Sequence, residues 1–170
     1  MSNICLLVLR MSATALVATS VVSVSALATP GSGFAPSGVV SGHFGVLNIN
    51  TADDKTGKWG LHLKTLDETD IATDKLTVQP GGSSGWHAHP SPVFITVTQG
   101  SITWSDGSNP LCTAHTYGVG QSFIEGAYVP HNARNASSSA VAVFFATTVK
   151  PAGFVGPPFR LDRPKPNNCP

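Results

Sequence analysis

The chain has 170 residues, which favours a single domain. Charged residues make up 11% of it and the formal net charge is +1, so no basic surface for nucleic acid is indicated. The 17 glycines and 13 prolines, with frequent Thr, Ser and Val, favour short strands joined by tight turns. Outside the N-terminus no long stretch has a helical apolar period, so the composition predicts an all-β sandwich or barrel.

The first 28 residues are typical of an export signal. Residues 4–9 and 13–28 are almost free of charge, Arg10 is the only basic side chain nearby, and Ala26 and Ala28 are the small residues that a signal peptidase reads. This pattern predicts a signal peptide over residues 1–28 that is cleaved after Ala28. The protein would then be secreted or periplasmic, with no membrane span after cleavage. An uncleaved membrane anchor is the alternative, which the Ser and Thr content and the shortness of the stretch disfavour.

Cleavage would leave two cysteines in the mature chain, Cys112 and Cys169. In an oxidising compartment such a pair predicts a disulfide, which would hold the C-terminal segment back on the rest of the protein. Two unpaired thiols are the alternative. Cys112 and His115 also have the spacing of two metal ligands, but a single pair of this kind is a weak signal.

The remaining chain divides into three parts: a Gly/Pro/Ser-rich linker at residues 29–37, a barrel at residues 38–150 and a Pro-rich tail at residues 151–170. Within the barrel, residues 80–85 predict a loop. Apolar or alternating runs between turn residues predict strands near residues 39–40, 44–49, 59–65, 71–79, 93–98, 101–105, 116–124, 127–133 and 140–149. This order fits an antiparallel jelly-roll barrel best. We expect most of the larger aromatic side chains to lie in the core: Phe94, Trp104, Phe123, Tyr128 and Phe144.

His87 and His89 stand two residues apart after the predicted loop. In a strand, side chains at this spacing point to the same face. The neighbouring Trp86 and the apolar run that follows favour the interior, where two imidazoles could bind one divalent ion. Two surface histidines are the alternative for an isolated pair.

The wider spacing resembles the two motifs of the cupin family. In the first motif, Gly81 and Gly100 enclose His87 and His89 at the family's spacing, and Val93 stands where the family has Glu. In the second motif the matching residues are Gly120, His131 and Asn135, while Gly126 and Tyr128 replace the family's Pro and second Gly. The resemblance implies a single-domain cupin double-stranded β-helix, or jelly-roll barrel, of the small exported bacterial type.

The same resemblance assigns metal binding to His87, His89 and His131. The cofactor it implies is one divalent transition metal ion: Fe, Mn, Ni, Zn or Cu. A valine cannot bind metal, so Val93 leaves the family's set of three His and one Glu incomplete.

Three outcomes follow from the missing carboxylate. The first, which we favour, is an open site of three histidines. The second is a replacement ligand, for which Glu125 and His115 are the candidates. The third is a barrel that has lost its metal. Glu125 precedes Gly126, where a turn is expected, so we expect its carboxylate to be solvated, and we expect His115 to lie on the surface.

The function depends on this site, because no other catalytic motif stands out in the sequence. Whether the chain is an enzyme stays open. A metal-dependent oxidoreductase of the dioxygenase type, acting on a small molecule, is favoured over an isomerase. The alternative is a non-catalytic barrel that binds a metal or a small ligand. A homodimer is also left open.

Overall fold

The structure is a computed structural model that describes residues 28–51, 57, 59–154 and 159–170. Apart from Ala28, the predicted signal peptide lies outside the described residues. Within the described ranges, no helix is long and apolar enough to span a membrane.

The described residues form strands that pair antiparallel, ten of them in one sheet that curves into a nearly closed barrel and two in a separate hairpin. This confirms the predicted all-β barrel. The strands are β1 (Ser32–Phe44), β2 (Asn48–Asn50), β3 (His62–Lys64), β4 (Thr69–Ser83), β5 (His87–Ala88), β6 (Val93–Gln99), β7 (Ser101–Asp106), β8 (Ala114–Gly118), β9 (Ser122–Glu125), β10 (His131–Arg134), β11 (Ala142–Pro151) and β12 (Leu161–Asp162).

Strand β6 shows how the sequence pattern builds the core. Val93, Ile95 and Val97 are buried, and the residues between them are exposed. The strand lies between β9 and β11, and its buried face packs with residues of β11 such as Phe144. Because burying each large apolar side chain contributes about 1.5–3 kcal/mol, this face holds β6 firmly in the barrel wall.

Two strands extend into segments that were predicted to be irregular. β1 begins at Ser32, inside the predicted linker, and β4 runs to Ser83, through most of the predicted loop. The Gly, Pro and Ser residues of both segments suggested loops, but Ser32 and Ser83 are cross-strand partners. Gly81 adopts a φ of 69°, which a glycine accommodates without strain and which allows the strand to continue past Pro80.

The second half of the barrel also differs in detail from the prediction. The strand expected at residues 116–124 is two strands, β8 and β9, which pair with β7 and β6 respectively. The strand expected at residues 127–133 begins only at His131. The prediction of a core position is right for Phe123 and Phe144 and wrong for Phe94 and Tyr128, which are exposed.

The C-terminal tail is bound to the barrel at several points. A disulfide joins Cys112 to Cys169, which confirms the predicted pairing. β12 pairs with β5, so that Asp162 lies opposite His87. Pro164 forms an isolated bridge with Ala28. The tail therefore lies at the edge of the barrel that carries the histidines.

Candidate metal centre

The barrel brings the three predicted histidines together. His87 begins β5 and His131 begins β10, and the two are direct cross-strand partners. His89 follows β5, on the same face as His87. The ring centroids of His87 and His131 are 4.3 Å apart, those of His87 and His89 are 4.8 Å apart, and those of His89 and His131 are 5.2 Å apart.

Glu125 completes the cluster and corrects the prediction of a solvated turn residue. Its side chain is buried, and its Oε2 lies 3.3 Å from the Nε2 atoms of both His89 and His131. The residue ends β9, where burial alternates so that Phe123 and Glu125 face inward. This two-residue period counted from Phe123 is the sequence signal that would have placed the carboxylate inside.

The register of the sheet explains why Glu125 reaches the cluster. Glu125 is the direct cross-strand partner of Val93, the residue at the family's Glu position. Such partners lie on one face with Cβ atoms roughly 4.5–5.5 Å apart, so a carboxylate on either strand reaches the same space. The ligand atoms of His87, His89, Glu125 and His131 all lie within 4.8 Å of one another. The other candidate, His115, is exposed on β8 and stands outside this cluster.

Hydrogen bonds to backbone carbonyl oxygens orient the three imidazoles. In each ring Nδ1 bonds to a carbonyl oxygen: His87 to Gly85 at 2.9 Å, His89 to Phe159 at 2.8 Å and His131 to Val129 at 2.8 Å. A carbonyl oxygen only accepts, so each Nδ1 carries a proton, and the lone pair of the neutral ring lies on Nε2. This arrangement is typical of metal-binding histidines, whose second nitrogen is held by a neighbouring acceptor.

The donor set fits a divalent transition metal. The Nε2 atom of His131 is buried and has no hydrogen-bond partner among the described residues, although the carboxylate of Glu125 lies 3.3 Å away. A carboxylate oxygen and a bare imidazole nitrogen both accept, so they repel unless a proton or a cation lies between them. One proton serves only two of the four groups, whereas one metal ion can contact all four. Ligands about 2.1 Å from an ion are at most about 4.2 Å apart, so small side-chain shifts would suffice.

Burial and mutual charge set the protonation of the site. Burial, and next the charge of the neighbouring His131, lower the pKa of His87 to about 3, so His87 is neutral at ordinary pH. Burial opposes ionisation of Glu125, but the neighbouring His131 and His89 outweigh it and lower the pKa of this carboxyl. Burial likewise disfavours a charge on His131, yet the Glu125 carboxylate raises the pKa of His131.

A cavity of about 520 Å³ opens at three of the four clustered side chains, His87, His89 and Glu125. Its size lies in the range of small-molecule sites, roughly 300–1,000 Å³. The apolar part of its wall comes from the strands and the tail: Phe34, Leu76, Val93, Ile95, Phe144 and Phe159. The polar side chains that share the wall with the cluster are Asp74, Ser84, Thr148, Lys150 and Arg160.

Three proteins of known structure are similar to part of this chain. A cupin-like protein from Thermotoga maritima is 19% identical over 56% of this chain and 65% of its own, with a TM-score of 0.44. A cupin family protein with a double-stranded β-helix fold from Methanocaldococcus jannaschii is 18% identical over 47% of this chain and 70% of its own, with a TM-score of 0.42. A polyketide cyclase from Streptomyces resistomycificus is 18% identical over 52% of this chain and 65% of its own, with a TM-score of 0.41. No curated protein matches the chain.

The sequence of the barrel matches the model of a protein family. The model of the cupin domain matches residues 75–147. This range begins within β4 and ends within β11, and it includes all four residues of the cluster. This part of the chain is therefore a cupin domain.

Proposed function

We propose that this protein is an exported cupin that binds one divalent transition metal through His87, His89, Glu125 and His131. The observation that carries the proposal is the orientation of the site: three Nε2 lone pairs and one carboxylate face each other inside the barrel. These groups repel one another unless a proton or a cation lies between them, and one metal ion can contact all four. Glu125 thus takes the place of the carboxylate missing at Val93.

We further propose that the site acts on a small molecule, as a metal-dependent oxidoreductase of the dioxygenase type. Four protein ligands leave positions free on an ion that prefers six, such as iron or manganese, and the adjoining cavity has room for a substrate. When bound, the ion would supply Lewis-acid or redox chemistry. The protein's own contribution would be to hold the ion through oriented imidazoles and to shelter the substrate between apolar walls.

A binding protein without catalysis is the second candidate, and the burial of the cluster favours it if the ion is zinc. Zinc is usually four-coordinate in proteins, so four protein ligands would fill its coordination sphere. The two candidates therefore differ in the metal that the purified protein retains and in whether dioxygen is consumed.

Export is part of the proposal. The predicted signal over residues 1–28 directs the chain out of the cytoplasm. The Cys112–Cys169 disulfide supports this, because such bonds persist in oxidising compartments. Whether the mature protein forms a homodimer stays a prediction.

Metal analysis of the mature protein, purified without added metal, tests the proposal. We expect close to one transition metal ion per chain, and we expect it to be lost in His89→Ala. His62→Ala is the matched control, because His62 is an exposed histidine of the β2–β3 hairpin. Equal metal content in wild type and His89→Ala would contradict the site. Oxygen uptake by the iron- or manganese-loaded protein would then favour the oxidoreductase, and a zinc-loaded protein without uptake would favour the binder.

A further inference from the structure

Arg160 brings a guanidinium group from the tail to the wall of the cavity. It stands just before β12 and lines the same cavity as His87, His89 and Glu125. The residue before it, Phe159, bonds through its carbonyl oxygen to His89 Nδ1, and its ring centroid lies 6.2 Å from that of His89. Arg160 is therefore fixed in sequence and in space beside the candidate metal centre.

Two hydrogen bonds hold the guanidinium and leave most of it available. Arg160 Nε donates to Asp162 Oδ1 at 2.7 Å, and Nη2 donates to the Ser84 carbonyl oxygen at 2.7 Å. The other three N–H groups of the guanidinium have no hydrogen-bond partner among the residues that the structure describes. Asp162 is exposed and does not line the cavity, so it neutralises the group from outside. A guanidinium that is held in place but not saturated suits a carboxylate, whose two oxygens match its fork.

The charges of the wall also favour an anion. The cationic side chains there are Arg160 and Lys150, and the acidic ones are Glu125 and Asp74. These four balance, and Asp162 adds one negative charge from outside the wall, so a divalent ion at the cluster would still leave a net positive charge. An anionic ligand would restore neutrality and would be attracted into the barrel.

The rest of the wall limits what the anion carries. Phe34 and Phe144 pack edge to face with ring centroids 5.8 Å apart, and Leu76 and Ile95 complete an apolar surface. Such a surface gains by covering a hydrocarbon or aromatic body rather than a second charge.

We propose that Arg160 binds the carboxylate of a small organic acid whose apolar body lies in the cavity next to the metal centre. This assignment rests on the proposed function and names the chemical class of its substrate or ligand. Arg160 thereby determines specificity, since it selects acids over their neutral analogues.

Calorimetric titration of the mature, disulfide-bonded protein with benzoate and phenylacetate, and with the neutral benzamide, tests this inference. We expect at least one acid to bind, and benzamide to bind at least tenfold more weakly. Arg160→Gln should weaken binding of the acid at least tenfold, and Arg160→Lys should weaken it less because the charge remains. Arg163→Gln is the matched control, since Arg163 belongs to the same tail but does not line the cavity.

Several results would overturn the inference. They are equal affinity of the acid for wild type and Arg160→Gln, equal affinity for acid and amide, or no binding of either acid to wild type. Loss of binding in Lys150→Gln with no loss in Arg160→Gln would assign the anion to Lys150 instead. Metal content is measured separately on each variant. If wild type holds no metal, the proposed function fails, and titration of the metal-free protein still tests Arg160.

Discussion

At the scale of the residue, the candidate metal cluster includes a carboxylate that lies on the strand next to the expected one. Val93 on β6 and Glu125 on β9 are cross-strand partners that face the interior. Because both side chains point into the same space, three His and one Glu come together in the barrel, although the usual Glu position holds valine. The barrel geometry, and not the position along the chain, decides whether a carboxylate can serve the site.

Exchanging these two residues tests whether a carboxylate on either strand can serve the site. We expect Glu125→Val to weaken metal binding at least about 100-fold, because even outer contacts to ligands are worth about 10–100-fold. We expect the double variant Val93→Glu/Glu125→Val to recover most of this loss. The measurement is competition for metal against a chelator of known affinity. Ile124→Val, an outward-facing change on the same strand, is the control. A double variant that binds no better than Glu125→Val would contradict the equivalence.

A second residue-scale pair lies far from the cluster, at the start of β4. His43 Nδ1 donates to Asp70 Oδ1 at 3.0 Å. Gly153 N donates to the other oxygen of Asp70 at 2.9 Å. These contacts, with the one from His43 first, lower the pKa of Asp70.

The lowered pKa of Asp70 implies a pH-dependent contribution to stability. A carboxyl whose pKa is lower in the folded protein stabilises the fold above its unfolded pKa, about 3.9, and loses this effect as pH falls through the folded value. We therefore expect Asp70→Asn to be less stable than wild type at neutral pH, with a difference that shrinks on acidification below about pH 4. Urea unfolding at a series of pH values measures it. His43→Gln should remove part of the same effect, and a difference that does not change with pH would count against this account.

At the scale of the element, the turn between β4 and β5 has to pass close to the N-terminal segment. Gly85 adopts a φ of 69°, and a Cβ atom there would collide with the carbonyl oxygen of Thr29. Trp86 N donates to Thr29 Oγ1 at 2.9 Å, which holds the two segments together. The carbonyl oxygen of Gly85 accepts from His87, so the turn also orients a candidate ligand.

Replacing this glycine tests the close approach. We expect Gly85→Ala to cost about 1–2 kcal/mol for the left-handed backbone and about 1–3 kcal/mol more for the collision. Gly81→Ala is the control, because Gly81 has the same φ of 69° and open space around it, so only the backbone cost applies. Denaturant unfolding gives both values. Equal costs for the two variants would show that the collision with Thr29 is relieved at no cost.

At the scale of the whole molecule, the tail is part of the site. The disulfide and β12 hold it against the barrel, and Phe159 and Arg160 then form part of the cavity wall. The carbonyl oxygen of Phe159 is the acceptor that orients His89. Loss of the tail contacts would therefore affect both the free energy of unfolding and the metal centre.

Removing the disulfide separates these two effects. Cys112 and Cys169 are 57 residues apart, and a closed loop of this size contributes about 4 kcal/mol to stability by the chain-entropy estimate. We expect the variant Cys112→Ser/Cys169→Ser to lose stability on this order and to bind metal about tenfold more weakly, because His89 loses a fixed acceptor. Thermal unfolding with and without metal measures both. Unchanged metal affinity in the less stable variant would show that the tail holds His89 without the disulfide.

The amino-acid sequence alone determined the barrel, the three histidines and the disulfide. The barrel follows from the alternation of strands such as β6, and the disulfide follows from two cysteines after the predicted signal peptide. The set of His87, His89 and His131 follows from the resemblance of their spacing to the cupin motifs. Such patterns need no knowledge of which strands are neighbours.

Only the tertiary structure decided the fourth member of the cluster and the walls around it. Glu125 faces the histidines because β9 pairs with β6 in one particular register. Ser32 begins a strand because it pairs with β4, and Arg160 reaches the cavity because β12 pairs with β5. The physical reason is that each of these placements depends on hydrogen bonds and packing between segments far apart in the chain. Glycine, proline and serine patterns within a single segment do not encode which partner it meets.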